Sequence, residues 1–329
     1  MTITIYDIAK EANTSISTVS RYLNGKPVRK KTASRIEETI KKYNYTPNLI
    51  AKGLVSKSLK TIAILLPDIR VYHYAEIAYF LESLFRSNGY NTILCNFPID
   101  DIQTCKDIIS MLKSRNVDAY ILISSFLEEL NNSPDILDLL SNVPVVTENF
   151  KLNIPNASSV MLDDYQGIKI ALDYLINKKN KKNIFYVQDT VSKSATIKMN
   201  SFLDNYNNSK DHIYMALRST EGGYNVVNKI LKEHPETDAI IFEEEVTAFG
   251  GLKACNDLNL IPGKDIDIVG YNKSQYSSMC TPELTYIDTL DNKQSDTIRE
   301  VLKNMMDEEG GIKTFDEVVI PELVVKQSA

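Results

Sequence analysis

Residues 4–26, TIYDIAKEANTSISTVSRYLNGK, hold two short helical patterns separated by a turn. Ile5, Ile8, Ala9 and Ala12 recur at helical spacing, and Thr4 stands three residues ahead of Asp7, the arrangement in which a hydroxyl and a carboxylate close a first turn. Asn13, Thr14 and Ser15 favour a turn, and Ser15 is a capping residue for a second helix over 16–23. Two short helices joined in this way predict a helix-turn-helix, whose second helix enters a DNA major groove by its N-terminal end. Ile16 and Ser17 then face base edges, and Arg21, one turn on, reaches a guanine. The same spacing suits a helical hairpin with no nucleic-acid role, and charge separates the two readings. Residues 1–60 contain twelve Lys/Arg against Asp7, Glu11, Glu37 and Glu38, a net of +8, so the rest of the chain carries −14 within the overall −6. A basic head on an acidic body points to a head that binds polyanions and a body with another task.

Outward from this stretch, a third helix is expected over 32–43, with Ile36, Ile40 and Tyr43 at core spacing. Residues 4–26 together with KKTASRIEETIKKYNYTPNLIAKGL (30–54) resemble, without a gap from Thr4 to Leu54, the DNA-binding head of the LacI/GalR family of bacterial transcription repressors. Asn13 stands where that family usually has Gly, and Lys52 where Arg is common; Asn tolerates positive φ better than other non-glycine residues, so the turn is expected to survive. The resemblance implies a double-stranded DNA operator as partner. It implies base reading by Ile16, Ser17 and Arg21, and phosphate contacts from Thr4, Tyr6, Ser20, Asn24, Thr32 and Tyr45. It further implies a hinge helix that wedges Leu54 into the minor groove. Gly53 in so short a helix costs about 0.8–1.0 kcal/mol relative to Ala, so the hinge is expected to fold on DNA and to be largely unfolded without it.

After Lys60 short apolar runs alternate with amphipathic stretches such as 75–88 and 101–115. TIAILLPD (61–68), NTILCNF (91–97), AYILISS (119–125) and VPVVTEN (143–149) read as buried strands. A second series follows in KNIFYVQ (182–188), HIYMALR (212–218), DAIIFEE (238–244) and DIDIVGY (265–271). The predicted fold class is therefore α/β, a helix-turn-helix head followed by two Rossmann-like lobes with a ligand cleft beyond the strand ends. The resemblance extends here through VMLDDYQG (160–167), AIIFEEEVTAFGGL (239–252), IVGYNKSQYSSMCTPELTYI (268–287) and IPELVVKQS (320–328). It implies a lobe pair like that of type I periplasmic binding proteins, with chain crossings near 162–163, 287–289 and 318–321. The expected division is a head over 1–46, a hinge over 47–60, one lobe over 61–162 with 289–318, and another over 163–288 with 319–329. With no leucine-heptad tail, a homodimer is expected.

Cys95, Cys105, Cys255 and Cys280 lie far apart with no CxxC, so neither a disulfide framework nor a zinc site is indicated. With no signal-peptide pattern and no run long enough to cross a bilayer, the expected location is the cytoplasm, away from membranes. GxGxxG, GxxxxGK[ST] and GxSxG are missing, and His73, His212 and His234 have no HExxH pairing. No catalytic residue, metal or cofactor is therefore expected. Many sugar-binding members of the resembled family carry Arg in the stretch matching TIKMNSF (196–202) and Asp in that matching VGYNK (269–273), where this chain has Lys198 and Asn272. The resemblance assigns His73, Tyr74, Ser194, Lys198, Arg218, Glu245 and Asn272 to an effector site. Lys198 with Arg218 would suit an anion such as a sugar phosphate, whereas Glu244 and Glu245 would neutralise both cations. The resulting expectation is a repressor of carbohydrate genes that answers to a sugar or sugar phosphate. The rival readings are a non-DNA small-molecule receptor and a regulator that answers to a protein, for which Arg299 is the candidate contact and Asn292 gives no help.

Overall fold

Local capping sets the boundaries of the amino-terminal helices. The structure, a computed structural model, describes residues 3–23, 25–45, 59–98, 101–206, 210–289, 291–306 and 312–329, and the chain divides into two units, Met1–Leu59 and Lys60–Ala329. Asn24, Leu54 and most of the expected hinge lie outside the described residues.

In the first unit α1 (Ile5–Glu11) opens on Thr4, whose Oγ1 accepts the Asp7 N–H while Asp7 Oδ2 accepts the Thr4 N–H at 2.9 Å. The capping box expected from the sequence is thus formed. Asn13 adopts φ 46°, and the Thr14 N–H reaches back to Ala9 O at 2.9 Å, which ends the helix. Ser15 Oγ accepts the Thr18 N–H at 3.2 Å and starts α2 (Ile16–Leu23). The third helix, α3 (Lys30–Tyr43), begins two residues earlier than expected. Ile8, Ala9, Ala12, Val19 and Ile36 form the core of this unit. Tyr43, expected in that core, is exposed. A left-handed Asn44 (φ 46°) turns the chain back so that the Tyr45 N–H bonds Ile40 O at 3.0 Å, and the Tyr45 ring covers the core edge instead.

Along the second unit strands and helices alternate as β1 (Thr61–Leu66), α4 (Tyr72–Ser87), β2 (Asn91–Asn96), α5 (Ile102–Ser114), β3 (Ala119–Ile123), α6 (Pro134–Leu140), β4 (Val145–Glu148) and β5 (Ala157–Leu162). The series continues with α7 (Asp164–Asn177), β6 (Ile184–Gln188), α8 (Lys193–Asn205), β7 (Ile213–Met215), α9 (Thr220–Glu233), β8 (Ala239–Phe242), α10 (Glu245–Asp257) and β9 (Asp267–Tyr271). It closes with β10 (Thr285–Asp288), α11 (Asp291–Met306), β11 (Asp316–Val319) and β12 (Glu322–Val324). Two six-stranded sheets result, ordered β11-β5-β4-β3-β1-β2 and β12-β10-β9-β8-β6-β7. All pairings are parallel except β10 with β12.

Strands β3, β4, β6, β8 and β9 are buried along their whole length, as apolar runs covered by helices on both faces should be. The expectation of burial fails for β2 and β7, which are largely half-exposed because each closes one edge of its sheet. The chain leaves the first sheet after Leu162, returns to its layer after Asp288, and leaves again between Val319 and Glu322. These passages are neighbours, since Leu162 pairs with Val319 and Asp288 with Glu322. Helices α9 and α10 touch backbone to backbone at Gly223 and Gly250. A Cβ on either glycine would come within 1.9 Å of a carbonyl oxygen of the other helix.

Candidate DNA-reading face and effector cleft

On α2, Ile16, Ser17, Ser20 and Arg21 share one face, while Val19, Tyr22 and Leu23 turn to the head core. Ile16 is 40% exposed, and Ser17 and Arg21 are exposed. Among the described residues, the Arg21 guanidinium makes one long contact, Nη2 to Pro27 O at 3.3 Å. Thr4 and Tyr6 are exposed beside this face in sequence, whereas Thr32 and Tyr45 are half-buried. The head therefore presents an accessible set of donors, with Tyr45 committed to packing.

In the second unit a solvent-open cleft with a cavity volume of about 70 Å³ lies beyond the carboxyl ends of β3, β4, β6, β8 and β9. Of the effector residues expected from sequence, His73, Tyr74, Ser194, Lys198, Arg218 and Asn272 all line it. Glu245 does not. It opens α10, and its carboxylate turns away to accept Ser277 Oγ–H at 2.8 Å, where burial raises its pKa. The preceding Glu244, still extended, takes the place facing the cleft.

Each cation of the cleft is already matched. Lys198, 5% exposed on α8, holds Nζ 4.0 Å from Asp164 Oδ1 and 4.0 Å from the centre of the Tyr271 ring. Burial is the largest single influence and would lower the ammonium pKa, but the carboxylates of Asp164, Glu244 and Glu243 together outweigh it and the net shift is upward. Asp164 in turn accepts from Tyr271 Oη at 2.7 Å and from Ser194 Oγ at 2.5 Å. Arg218, beyond β7, is paired with Glu244, which also accepts Asn272 Nδ2–H at 2.8 Å. Asn272 adopts φ 70° directly after β9, a left-handed conformation that Asn tolerates.

His73 opens α4 with Nδ1 3.2 Å from Asp291 Oδ1 and Nε2 3.8 Å from Glu148 Oε1. Burial disfavours its charge, yet these two carboxylates prevail and hold its pKa well above the usual imidazole value. Tyr74 Oη lies 2.8 Å from Ser124 Oγ, and the Ser124 N–H donates to Glu148 Oε2 at 3.0 Å. Glu243 accepts from the Asp189 and Thr190 N–H groups at 2.9 and 3.2 Å and from Thr190 Oγ1 at 2.8 Å. Behind it Asp189 has its pKa pushed up to about 7 by burial and by the charges of Glu244 and Glu243. At the mouth, Lys193 Nζ meets Glu128 Oε1 at 2.6 Å and ties one lobe to the other.

Asp164, Glu148, Ser124 and Tyr271 are cleft residues that the sequence reading did not select. One signal was available, because all four stand at or just after the carboxyl end of a strand, where open α/β sheets place their ligand contacts.

Residues 4–48 match the bacterial regulatory proteins of the lacI family, and residues 59–317 match the periplasmic binding proteins and sugar binding domain of the LacI family. The chain belongs to the LacI family. This LacI-family protein is a DNA-binding transcriptional regulator. It is 32% identical to an HTH-type transcriptional regulator of Lachnoclostridium phytofermentans over 86% of its own length and 87% of the relative's. It is 31% identical to catabolite control protein A of Staphylococcus xylosus, with 87% of each chain covered. The fold is that of the Lac repressor dimer bound to operator and the anti-inducer ONPF, with a TM-score of 0.83, 21% identity, and coverage of 100% of this chain and 99% of that one. Among the described residues of this LacI-family regulator, no helix is long and apolar enough to cross a membrane.

Proposed function

We propose that this regulator is a homodimeric, sequence-specific repressor whose operator affinity is set by a carbohydrate without a phosphate group, bound in the inter-lobe cleft. In this reading Ile16, Ser17, Arg21 and Leu54 read bases, and Thr4, Tyr6, Ser20, Asn24 and Thr32 hold phosphates. The observation that carries the effector class is the pairing of Lys198 with Asp164 and of Arg218 with Glu244. A phosphate would have to break an ion pair to gain one, at a net loss in a partly desolvated site. Hydroxyl groups, which donate and accept at once, can join both pairs without separating their charges. Exposed apolar side chains on both lobes, Tyr79 and Leu94 on the first and Tyr276 and Met279 on the second, support a second copy as partner. Arg299, the residue that favoured a protein partner, donates to Glu300 Oε1 at 2.7 Å and is three-quarters buried, which weakens that alternative.

The test is thermal stabilisation and operator release with matched sugars and sugar phosphates. A ligand bound only by the folded state raises its melting temperature. The expected result is a rise with a sugar and none with its phosphate ester. A larger rise with the phosphate ester would sink the proposed effector class.

A further inference from the structure

The cleft holds more than paired charges, and its surplus points to the chemistry of one ligand group. Glu148 is fully buried at the end of β4. Its Oε2 is satisfied by the Ser124 N–H, whereas Oε1 finds no hydrogen-bond partner among the described residues and faces His73 Nε2 at 3.8 Å. A buried carboxylate oxygen left without a donor is unfavourable unless something entering the site supplies one.

Counting the lining charges gives the sign of that donor. Glu148, Asp164, Glu243 and Glu244 face Lys198, Arg218 and the protonated His73. Lys198 is committed to Asp164 and Arg218 to Glu244, and His73 is shared with Asp291 at the shorter distance of 3.2 Å. Glu243 is held by the neutral donors of Asp189 and Thr190, and the buried Asp189 behind it also keeps one oxygen, Oδ1, without a partner among the described residues. After every pairing is made, the cleft is left with negative charge.

Resting on the carbohydrate reading above, we propose that the effector is an amino sugar, whose ammonium group is received by Glu148 Oε1 while its hydroxyls bridge the Lys198–Asp164 and Arg218–Glu244 pairs. A hydroxyl from a neutral sugar would fill the hydrogen bond but leave the lining with four carboxylates against three cations, the His73 imidazolium 3.8 Å from Glu148 Oε1 included. An ammonium fills that bond and evens the charges, through a charge-assisted bond. An acetylated amine keeps the ring and loses the charge, which makes it the informative control.

The experiment is isothermal titration of the full-length protein with glucosamine, galactosamine and mannosamine, each set against its parent hexose and its N-acetyl derivative. The expected result is that one amine binds at least about tenfold tighter than both of its neutral counterparts, and that Glu148→Gln abolishes this preference. The comparison within each trio is made on the unaltered protein, so it stands even if the variant folds poorly. If a parent hexose or N-acetyl form binds as well as its amine, the amine assignment is wrong and the carbohydrate site survives. If none of the three amines binds, the assignment is likewise overturned. Binding of a sugar phosphate alone would remove both readings together.

Discussion

The cations of the two units are held in opposite ways. Arg21 stands exposed on α2 with one 3.3 Å contact to its own loop, whereas Lys198 is buried against Asp164 and the face of Tyr271. A surface that must meet a long polyanion gains from leaving its donors open, because water satisfies them until phosphates and bases arrive. A cleft that shields its cations from water supplies each with a counter-ion and presents the pair to the ligand ready oriented. Removing a partner should therefore hurt the fold in one place and recognition in the other.

The largest effect is expected for Asp164→Ala, which strands the Lys198 ammonium and frees the hydroxyls of Tyr271 and Ser194. Breaking a buried pair from one side costs about 3–5 kcal/mol, read as a lower urea midpoint. A loss no larger than that of a surface substitution would mean that the pair is not preorganised. Next comes pH. Asp189 has a folded pKa of about 7, above its ordinary 3.8, so between those values the folded protein holds a proton that the unfolded chain has released. This contribution to stability is full below the lower value and is lost as pH rises through the higher one. Asp189→Asn should flatten that fall and stabilise the protein above pH 7 by up to about 4 kcal/mol, measurable as melting curves across the range. The smallest effect belongs to the open cation. Arg21→Ala should leave the melting temperature unchanged and narrow the gap between operator and random duplex by about 1–3 kcal/mol. Retention of the full gap would remove Arg21 from the reading face.

What the sequence made legible divides along the same line. The head helices lie within two residues of their expected bounds because Thr4, Asp7, Asn13 and Ser15 act on neighbours a few positions away. The α/β class was legible for a similar reason, each strand being a short apolar run between breaks. Four strands were not read as such: β5 and β10, whose apolar residues are interrupted by Ser159 and by Thr285 and Asp288, and β11 and β12, only four and three residues long and partly exposed. Six of seven expected cleft residues do line it, yet their partners were hidden, since Asp164 and Lys198 meet only once α7 and α8 are side by side. Glu245 was misassigned for a local reason: one residue decides whether a side chain ends a strand facing the cleft or begins a helix facing the turn at Ser277.

The three adjacent passages between the sheets, at Leu162, Asp288 and Val319, have a mechanical consequence. Two bodies joined by one strand can swivel and twist, whereas three passages set side by side resist twisting and favour bending about the line through them, as a door hinge does. Under the proposed function, whatever the chemistry at the far edge of the cleft, the protein would report it as how far one door stands open.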